Sequence, residues 1–516
     1  MKKIIILNIA IMVILFFTSC SKSFLDVPTT TPLPSNDPNA ARDYVTSVYS
    51  SLVYVDPGGG WNYDTHGVSF VAATNIMSDD ADKGSLTADQ PGMNDLDNFT
   101  ETSGNAFVAA LWSGYYVGIA RANNALTALS SANLDSATVR QLRAEVFFIR
   151  GYYYFNLVRF FGGVPIVTYV PTDPRAANSD KSLVTRASVS DIYNKVIIPD
   201  LTYAMNNLPL KNGATVGRIT KGAAETMLAK VYMTLAGTNN NNAADWQQVT
   251  SLTQDVINSN QYSLVSDYST IWKQVGDNNT ESIFEIETAE YASTDGGIPL
   301  YSEMQGPRNN GGNWNNPSFT YNPTGDLGWG FCTPSQNLVD AYEPGDLRKV
   351  ATIVNCNLNS PTGNSDTLWD GFIIPVGTQS QYYNYKAYHS EKLENFYHNR
   401  DRKEKNVHLL RYADLLLMNA EAALYTSGDA TTPLNLVRNR AGLSNVAASQ
   451  TAIWKERRVE LALEHDRFFD IVRQGRAAAV MQAAGKNFKA GVNELLPIPA
   501  TQISLSGGLL TQNTGY

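Results

Sequence analysis

The stretch Arg143-Ala144-Glu145-Val146-Phe147-Phe148-Ile149-Arg150-Gly151-Tyr152-Tyr153-Tyr154-Phe155, running on to Phe161-Gly162-Gly163-Val164-Pro165, decides the fold class. Leu142, Val146, Ile149, Tyr153 and Leu157 recur at helical spacing, so one face of the segment meets a core. The pattern predicts a helix from about Ser136 to Phe161, ended by a glycine stop and a proline that forbids continuation. Just upstream, Phe107, Leu111, Tyr115, Gly118, Ala122 and Ala125 repeat the same period. Two long helices therefore lie next to each other in the chain.

Working outward, helices are predicted at Ala40–Val53, Ser188–Leu208, Thr220–Ala236, Trp246–Ser259, His408–Ser427 and Ala452–Arg473. Between Tyr54 and Thr102 the chain reads as loops around one short helix. Gly222, Ala223, Ala224, Ala229 and Ala236 let helices approach closely, and 220–260 and 409–440 have the length and Ala/Tyr/Leu content of tetratricopeptide-like hairpins. They lack the full repeat motif. From Asp267 to Arg402, Gly, Asn, Pro and aromatics replace the helical period, with short strands such as Ser282–Glu287. The expected fold is mainly α: tetratricopeptide-like hairpins forming one scaffold (about 40–266 and 408–516), with a loop-rich insertion (about 267–407). A length prior of ~150 residues per domain would suggest three units, but the pattern favours a single domain over 40–516.

The first nineteen residues have a charged start at Lys2-Lys3, an apolar run from Ile4 to Phe17 and the small pair Thr18-Ser19 before Cys20. That is a secretory signal, too short for a span of ~20 apolar residues. Cleavage before Cys20 leaves a thiol for acylation, which predicts a lipoprotein; Ser21 after it favours the outer membrane. Residues 20–39 are Pro/Thr/Ser-rich and read as the lipidated N-terminus and its tether.

Of 516 residues, 17% are charged against a usual ~25%, and the net charge is −9. No basic footprint for nucleic acid exists. Cys332 and Cys356 read as small buried residues or one optional bridge. His66, His389, His398, His408 and His465 show no metal-ligand spacing, and no phosphate loop or serine elbow appears, so neither metal nor cofactor is expected. Arg457, Glu460, Glu464, Arg467, Asp470 and Arg473 sit three or four apart and predict ion pairs along one helix rather than an acid/base site at Glu460 and Glu464. Asp79, Asp80 and Asp82 read as a solvated loop or helix start, with ligand hydroxyls or calcium as the alternative.

Ordered along the chain, further blocks accompany the opening stretch: Cys20-Ser21-Lys22-Ser23-Phe24-Leu25-Asp26, Trp112…Tyr116…Ile119…Ala122-Asn123, Gly217-Arg218-Ile219-Thr220-Lys221-Gly222-Ala223-Ala224 and Thr333-Pro334-Ser335-Gln336-Asn337-Leu338-Val339-Asp340. Then come Arg411-Tyr412-Ala413-Asp414…Asn419-Ala420-Glu421-Ala422, Asn435…Arg438-Asn439-Arg440-Ala441-Gly442-Leu443, Glu456-Arg457-Arg458-Val459-Glu460-Leu461, Arg467-Phe468-Phe469-Asp470 and Leu496-Pro497-Ile498-Pro499…Thr511-Gln512-Asn513-Thr514-Gly515-Tyr516. With these motifs the chain resembles the SusD/RagB-like family of outer-membrane nutrient-binding lipoproteins, the starch-utilisation-system type. The resemblance implies a helical fold with a looped ligand face, a surface location and a SusC-like TonB-dependent transporter barrel as partner. It implies capture of a glycan or oligosaccharide, less often a peptide, without catalysis. A surface glycosidase is the competing class and would need two carboxylates ~5–9.5 Å apart in a cleft.

Sugars present flat C–H faces beside hydroxyl edges, so a site for them needs Trp or Tyr platforms with Asn, Asp or Arg at the rim. The looped regions supply this mixture: Trp61-Asn62-Tyr63-Asp64 after Gly58-Gly59-Gly60, and later Tyr301, Gln305, Arg308, Asn309, Trp314, Asn315, Asn316, Tyr321 and Trp329. The candidate ligand contacts are Trp61, Tyr63, Asp80, Tyr301, Arg308, Trp314, Asn315 and Trp329. For each aromatic the alternative is to pin a long loop to the body or to pack on the transporter.

Overall fold

Asp135 starts the deciding helix: its carboxylate accepts from the backbone N–H groups of Ala137 and Thr138, and the helix runs Ser136–Phe161 before Gly162 turns the chain at φ 72°. The structure, a computed structural model, describes residues 38–53, 65–171, 180–288, 300–308, 327–356, 366–374, 377–394 and 404–516. The signal segment, Cys20 and the tether lie outside these. Among the described residues no helix is long and apolar enough to cross a membrane.

The principal helices are α1 (Pro38–Ser50), α2 (Ala106–Ser130), α3 (Ser136–Phe161), α4 (Ile198–Asn207), α5 (Lys221–Thr238), α6 (Ala243–Asn258), α7 (Tyr412–Thr426), α8 (Thr431–Arg440), α9 (Gln450–Glu460) and α10 (Arg467–Arg473). Each of α2 to α6 packs on the next, as stacked helical hairpins do. The stack continues from α6 to α7 although about 150 residues of chain separate them: Trp246 and Tyr425 stack with ring centroids 4.6 Å apart. The insertion therefore leaves after one hairpin helix and returns before the next. Gly118 allows the tight α2–α3 contact, since a Cβ there would lie 2.1 Å from the Tyr153 ring. One apolar core, with Phe148, Tyr153, Phe155, Phe160 and Phe161 at its centre, joins the helices to the strands.

Among the described residues six short strands pair in twos, all antiparallel: β1 (Ala81–Gly84) with β3 (Phe331–Pro334), β2 (Ser282–Ile286) with β6 (Val407–Arg411), and β4 (Ile353–Asn355) with β5 (Tyr382–Asn384). The insertion has a small core of its own in Leu327, Val354, Leu368, Ile374, Tyr383 and Tyr388, with Cys356 in it. Cys332 and Cys356 are both free and buried.

Four local expectations need correction. The helix expected from His408 begins only at Tyr412, because Val407–Arg411 is taken up as β6 by pairing with β2. The helix expected over 452–473 breaks after Glu460, where Leu463 and His465 adopt positive φ. Buried Asn75 accepts from the His465 N–H and donates to the Leu463 carbonyl, both at 3.0 Å, so the freed backbone groups are satisfied. That break also scatters the charges: only Asp470–Arg473 pairs within a helix, whereas Arg457 reaches Asp414, Arg467 reaches Asp79 and Arg473 reaches Glu421. Finally, the 65–102 region holds a strand, β1, and a second short helix, Pro91–Asn98, beyond the turn at Val68–Val71.

Candidate functional site: a ledge at the necks of two loops

The short helix Tyr301–Gln305 leads to Gly306-Pro307-Arg308, and the chain comes back at Leu327 against the same three residues. Leu327 and Gly328 N–H groups both donate to the Pro307 carbonyl (3.0 and 3.1 Å), Gly330 N–H donates to Gly306 (3.0 Å) and Trp329 N–H to Glu303 (2.6 Å). A Cβ on Gly306 would lie 2.3 Å from the Leu327 carbonyl oxygen, and one on Gly328 2.4 Å from that of Glu303. Segment 309–326 thus leaves and returns through a neck only glycine backbones can form.

Arg308 stands on this neck. Its Nη1 donates to the Asp89 carboxylate, to Ser85 Oγ (3.1 Å) and to the Trp329 carbonyl (3.3 Å). Both charged side chains remain about one-third exposed, at 34% and 30%. Trp329 lies half-buried against the core, and Leu86 beside Ser85 is exposed. The β1–β3 register, Gly84 opposite Phe331, brings the Ser85–Asp89 turn to Arg308.

Segment 54–64 has its own neck. His66 Nδ1 donates to the Leu52 carbonyl (2.7 Å), and its Nε2 accepts from the Tyr152 hydroxyl (2.8 Å). Burial lowers His66 to about 3, so this ring is neutral. A row of rings joins the two necks: Tyr152 and His66 (5.6 Å), His66 and Phe70 (5.2 Å), Phe70 and His465 (4.6 Å), His465 and Tyr301 (5.7 Å).

The sequence candidates divide three ways. Arg308 and Trp329 come together on the ledge. Trp61, Tyr63, Trp314 and Asn315 fall outside the described residues. Asp80 and Tyr301 are inside the protein, 1% and 6% exposed, so the expectation of ligand contact is corrected for both. Tyr301 closes the row of rings; Asp80 accepts from Arg458 Nε at 2.7 Å. Its neighbour Asp79 accepts from Arg467 through both oxygens (2.7 and 2.8 Å), so the pair is buried rather than a solvated loop. Burial pushes the Asp80 carboxyl up, while at Asp79 the Arg467 and Arg458 charges outweigh burial and hold it down. Sequence reasoning missed Asp89 and Ser85, whose partner Arg308 is more than 200 residues away.

Chemically, the ledge offers guanidinium donors and a carboxylate acceptor, with half-buried Trp329 joined to them through its carbonyl, a set suited to sugar hydroxyls. The neighbouring carboxylates Glu460 and Glu464 are engaged in ion pairs. Glu460 accepts from three arginines and Glu464 from Arg411 and Lys386, all buried. Asp277 and Glu285 are close together, but the cavity beside them holds only about 120 Å³, against ~300–1,000 Å³ for ligand sites.

Known proteins were compared with this geometry. The family model described as "Starch-binding associating with outer membrane" matches residues 24–233, and that of the "SusD family" matches 373–516. The SusD-like protein P2 of Formosa agariphila is 26% identical over 457 residues, 82% of this chain and 83% of that protein. Among solved structures, a laminarin binding SusD-like protein is 30% identical, with a TM-score of 0.76 over 93% of this chain and 100% of the other. Surface glycan-binding protein A from Bacteroides fluxus is 26% identical, with a TM-score of 0.76 and the same coverage. The chain belongs to the SusD/RagB-like family.

Proposed function

We propose that this chain is a cell-surface glycan-binding lipoprotein, held in the outer membrane by acylated Cys20, that captures an oligosaccharide and delivers it to a SusC-like TonB-dependent transporter without catalysing a reaction. The observation that carries the reading is the likeness, at 30% identity over nearly the whole chain, to a protein described as laminarin binding. The chemistry of the ledge supports it. Arg308 and Asp89 would hold hydroxyls, Trp329 would pack on a sugar face, and Trp61, Tyr63, Trp314 and Asn315 would complete the site from segments 54–64 and 309–326. Calorimetric titration of the mature protein with laminarin oligosaccharides, α-glucan oligosaccharides and a peptide library tests it. Saturable binding to a glycan, weakened in Arg308→Ala and Trp314→Ala, is expected. Binding of peptides alone would replace glycan with peptide as cargo, and release of shorter sugars from a labelled oligosaccharide would end the non-catalytic reading. Co-purification of a TonB-dependent barrel with the native lipoprotein checks the delivery step.

A further inference from the structure

The β2–β6 register sets Glu285 directly opposite His408, and the chain after the turn Gln274–Gly276 brings Asp277 beside them. One ligand atom from each of the three lies within 4.8 Å of the others. His408 Nδ1 is buried and 3.2 Å from Glu285 Oε1, an ion-pair distance at which hydrogen-bond geometry is not met. Two atoms bound to one metal at ~2.0–2.2 Å stand about this far apart without pointing a hydrogen at each other. Glu287 adds an orphan: its Oε1 is buried with no hydrogen-bond partner among the described residues, while its Oε2 accepts from Asn406 Nδ2 (3.0 Å) and Asn278 Nδ2 (3.2 Å). Asn406 Nδ2 and the Asn278 N–H also fix the two oxygens of Glu285, both at 2.9 Å, as outer partners orient metal ligands.

Two carboxylates, Asp277 and Glu285, flank one imidazole here. The nearest ammonium groups are held on carbonyls, Lys211 by Asn279 and Ser282, Lys405 by Trp272 and Tyr388. The cavity of about 120 Å³ beside them is lined by Asn278, Glu285 and Glu287, which gives a small ion a route in.

We propose that Asp277, Glu285 and His408 form a binding site for one divalent transition cation of the zinc type, which Glu287, two residues after Glu285, turns in to complete. An imidazole with a few carboxylates suits such an ion; calcium takes 6–8 oxygens. Asp277 and Glu285 lie near the start of the insertion and His408 at its end, so a bound ion ties the two ends of the insertion to each other.

The test uses the mature protein, stripped with chelator and dialysed against Zn²⁺. One equivalent is expected to stay bound and to raise the melting temperature. Asp277→Asn, at a partly exposed position with no ion pair among the described residues, is expected to lose that equivalent and the shift while its metal-free melting temperature stays the same. Glu287→Gln gives a second variant with the same expectation. Co²⁺ in place of Zn²⁺ is expected to give visible bands that change in His408→Gln. No Zn²⁺ uptake by the wild type, equal uptake by Asp277→Asn and Glu287→Gln, or tighter retention of Ca²⁺ than of Zn²⁺ would overturn the assignment.

Discussion

Arg411 on β6 donates to the Glu460 carboxylate at the end of α9 across 3.0 Å, with the side chains 1% and 0% exposed. Glu460 also accepts from Arg348 Nη1 (2.9 Å), which belongs to the insertion, and from Arg440 Nη2 (2.6 Å) on α8. Arg411 extends the network to Glu464 and to Glu281 beside β2. The insertion is thereby keyed to the helical stack through charges that no water reaches, and a buried network of this kind is costly to break from one side.

Glu460→Gln leaves three buried guanidinium groups short of charge and is expected to lower stability by about 3–5 kcal/mol, read from urea unfolding monitored by tryptophan fluorescence. Burial acts to raise the Glu460 carboxyl, and the three arginines outweigh it, holding it well below the usual range. Its contribution is therefore complete above the unfolded value near ~4.3 and is lost as pH falls below that. The acid limb of the stability curve should be shallower in Glu460→Gln than in the wild type. Equal limbs would contradict the network.

His465 makes a separate pH prediction with the same direction and a higher window. Burial, with the nearby His66 and Lys230, lowers it to about 3, while in the unfolded chain it titrates near ~6.5. Between those values the unfolded state binds the extra proton, so stability rises with pH and is lost as pH falls from about 6.5. From pH 6.5 to 5 this one ring accounts for about 2 kcal/mol. His465→Asn tolerates the left-handed φ of 74° and removes the titration. Urea midpoints at pH 7 and 5 should differ less in the variant than in the wild type.

How much of this was legible in the sequence follows from which forces act locally. Helix α3 was readable to both ends because its period, its Gly162 stop and its start all lie within the segment. The break at 461–466 was not, since Asn75, which satisfies the turned backbone, lies almost 400 residues away. Ion pairs were expected from i to i+3 or i+4 spacing, yet Arg457 pairs with Asp414 of α7 and, across the break, Asp470 of α10, and Arg467 with Asp79 next to β1. At the ledge, Arg308 and Trp329 carried a signal in residue type alone, whereas Asp89 becomes visible only through the β1–β3 pairing. The Glu285–His408 pairing is of the same kind: strand register, rather than a motif, makes the neighbours.

The neck gives a prediction about shape. Gly306→Ala places a Cβ 2.3 Å from the Leu327 carbonyl oxygen, backbone that has nowhere to go without breaking the Gly330–Gly306 and Leu327–Pro307 hydrogen bonds. We expect a loss of about 1–3 kcal/mol in thermal unfolding and weaker glycan binding, although residue 306 offers the ligand no side chain. Gly104→Ala, whose nearest atom would be 3.7 Å away, is the control and should be neutral in both assays.

Arg308 should separate binding from stability. Its pair with Asp89 is about one-third exposed on each side, so solvent screens it and Arg308→Ala should cost less than ~1 kcal/mol in urea unfolding. In calorimetry with the bound glycan the same variant is expected to lose about tenfold or more in affinity, as a removed charge-assisted hydrogen bond does. Arg308→Lys keeps the charge but loses the guanidinium plane, whose Nε and Nη2 donors extend beyond the Nη1 contacts to Asp89, Ser85 and the Trp329 carbonyl, so it should not recover the affinity. Full affinity in Arg308→Lys would mean that only a positive charge is read there. Full affinity in Arg308→Ala would move the ligand off the ledge.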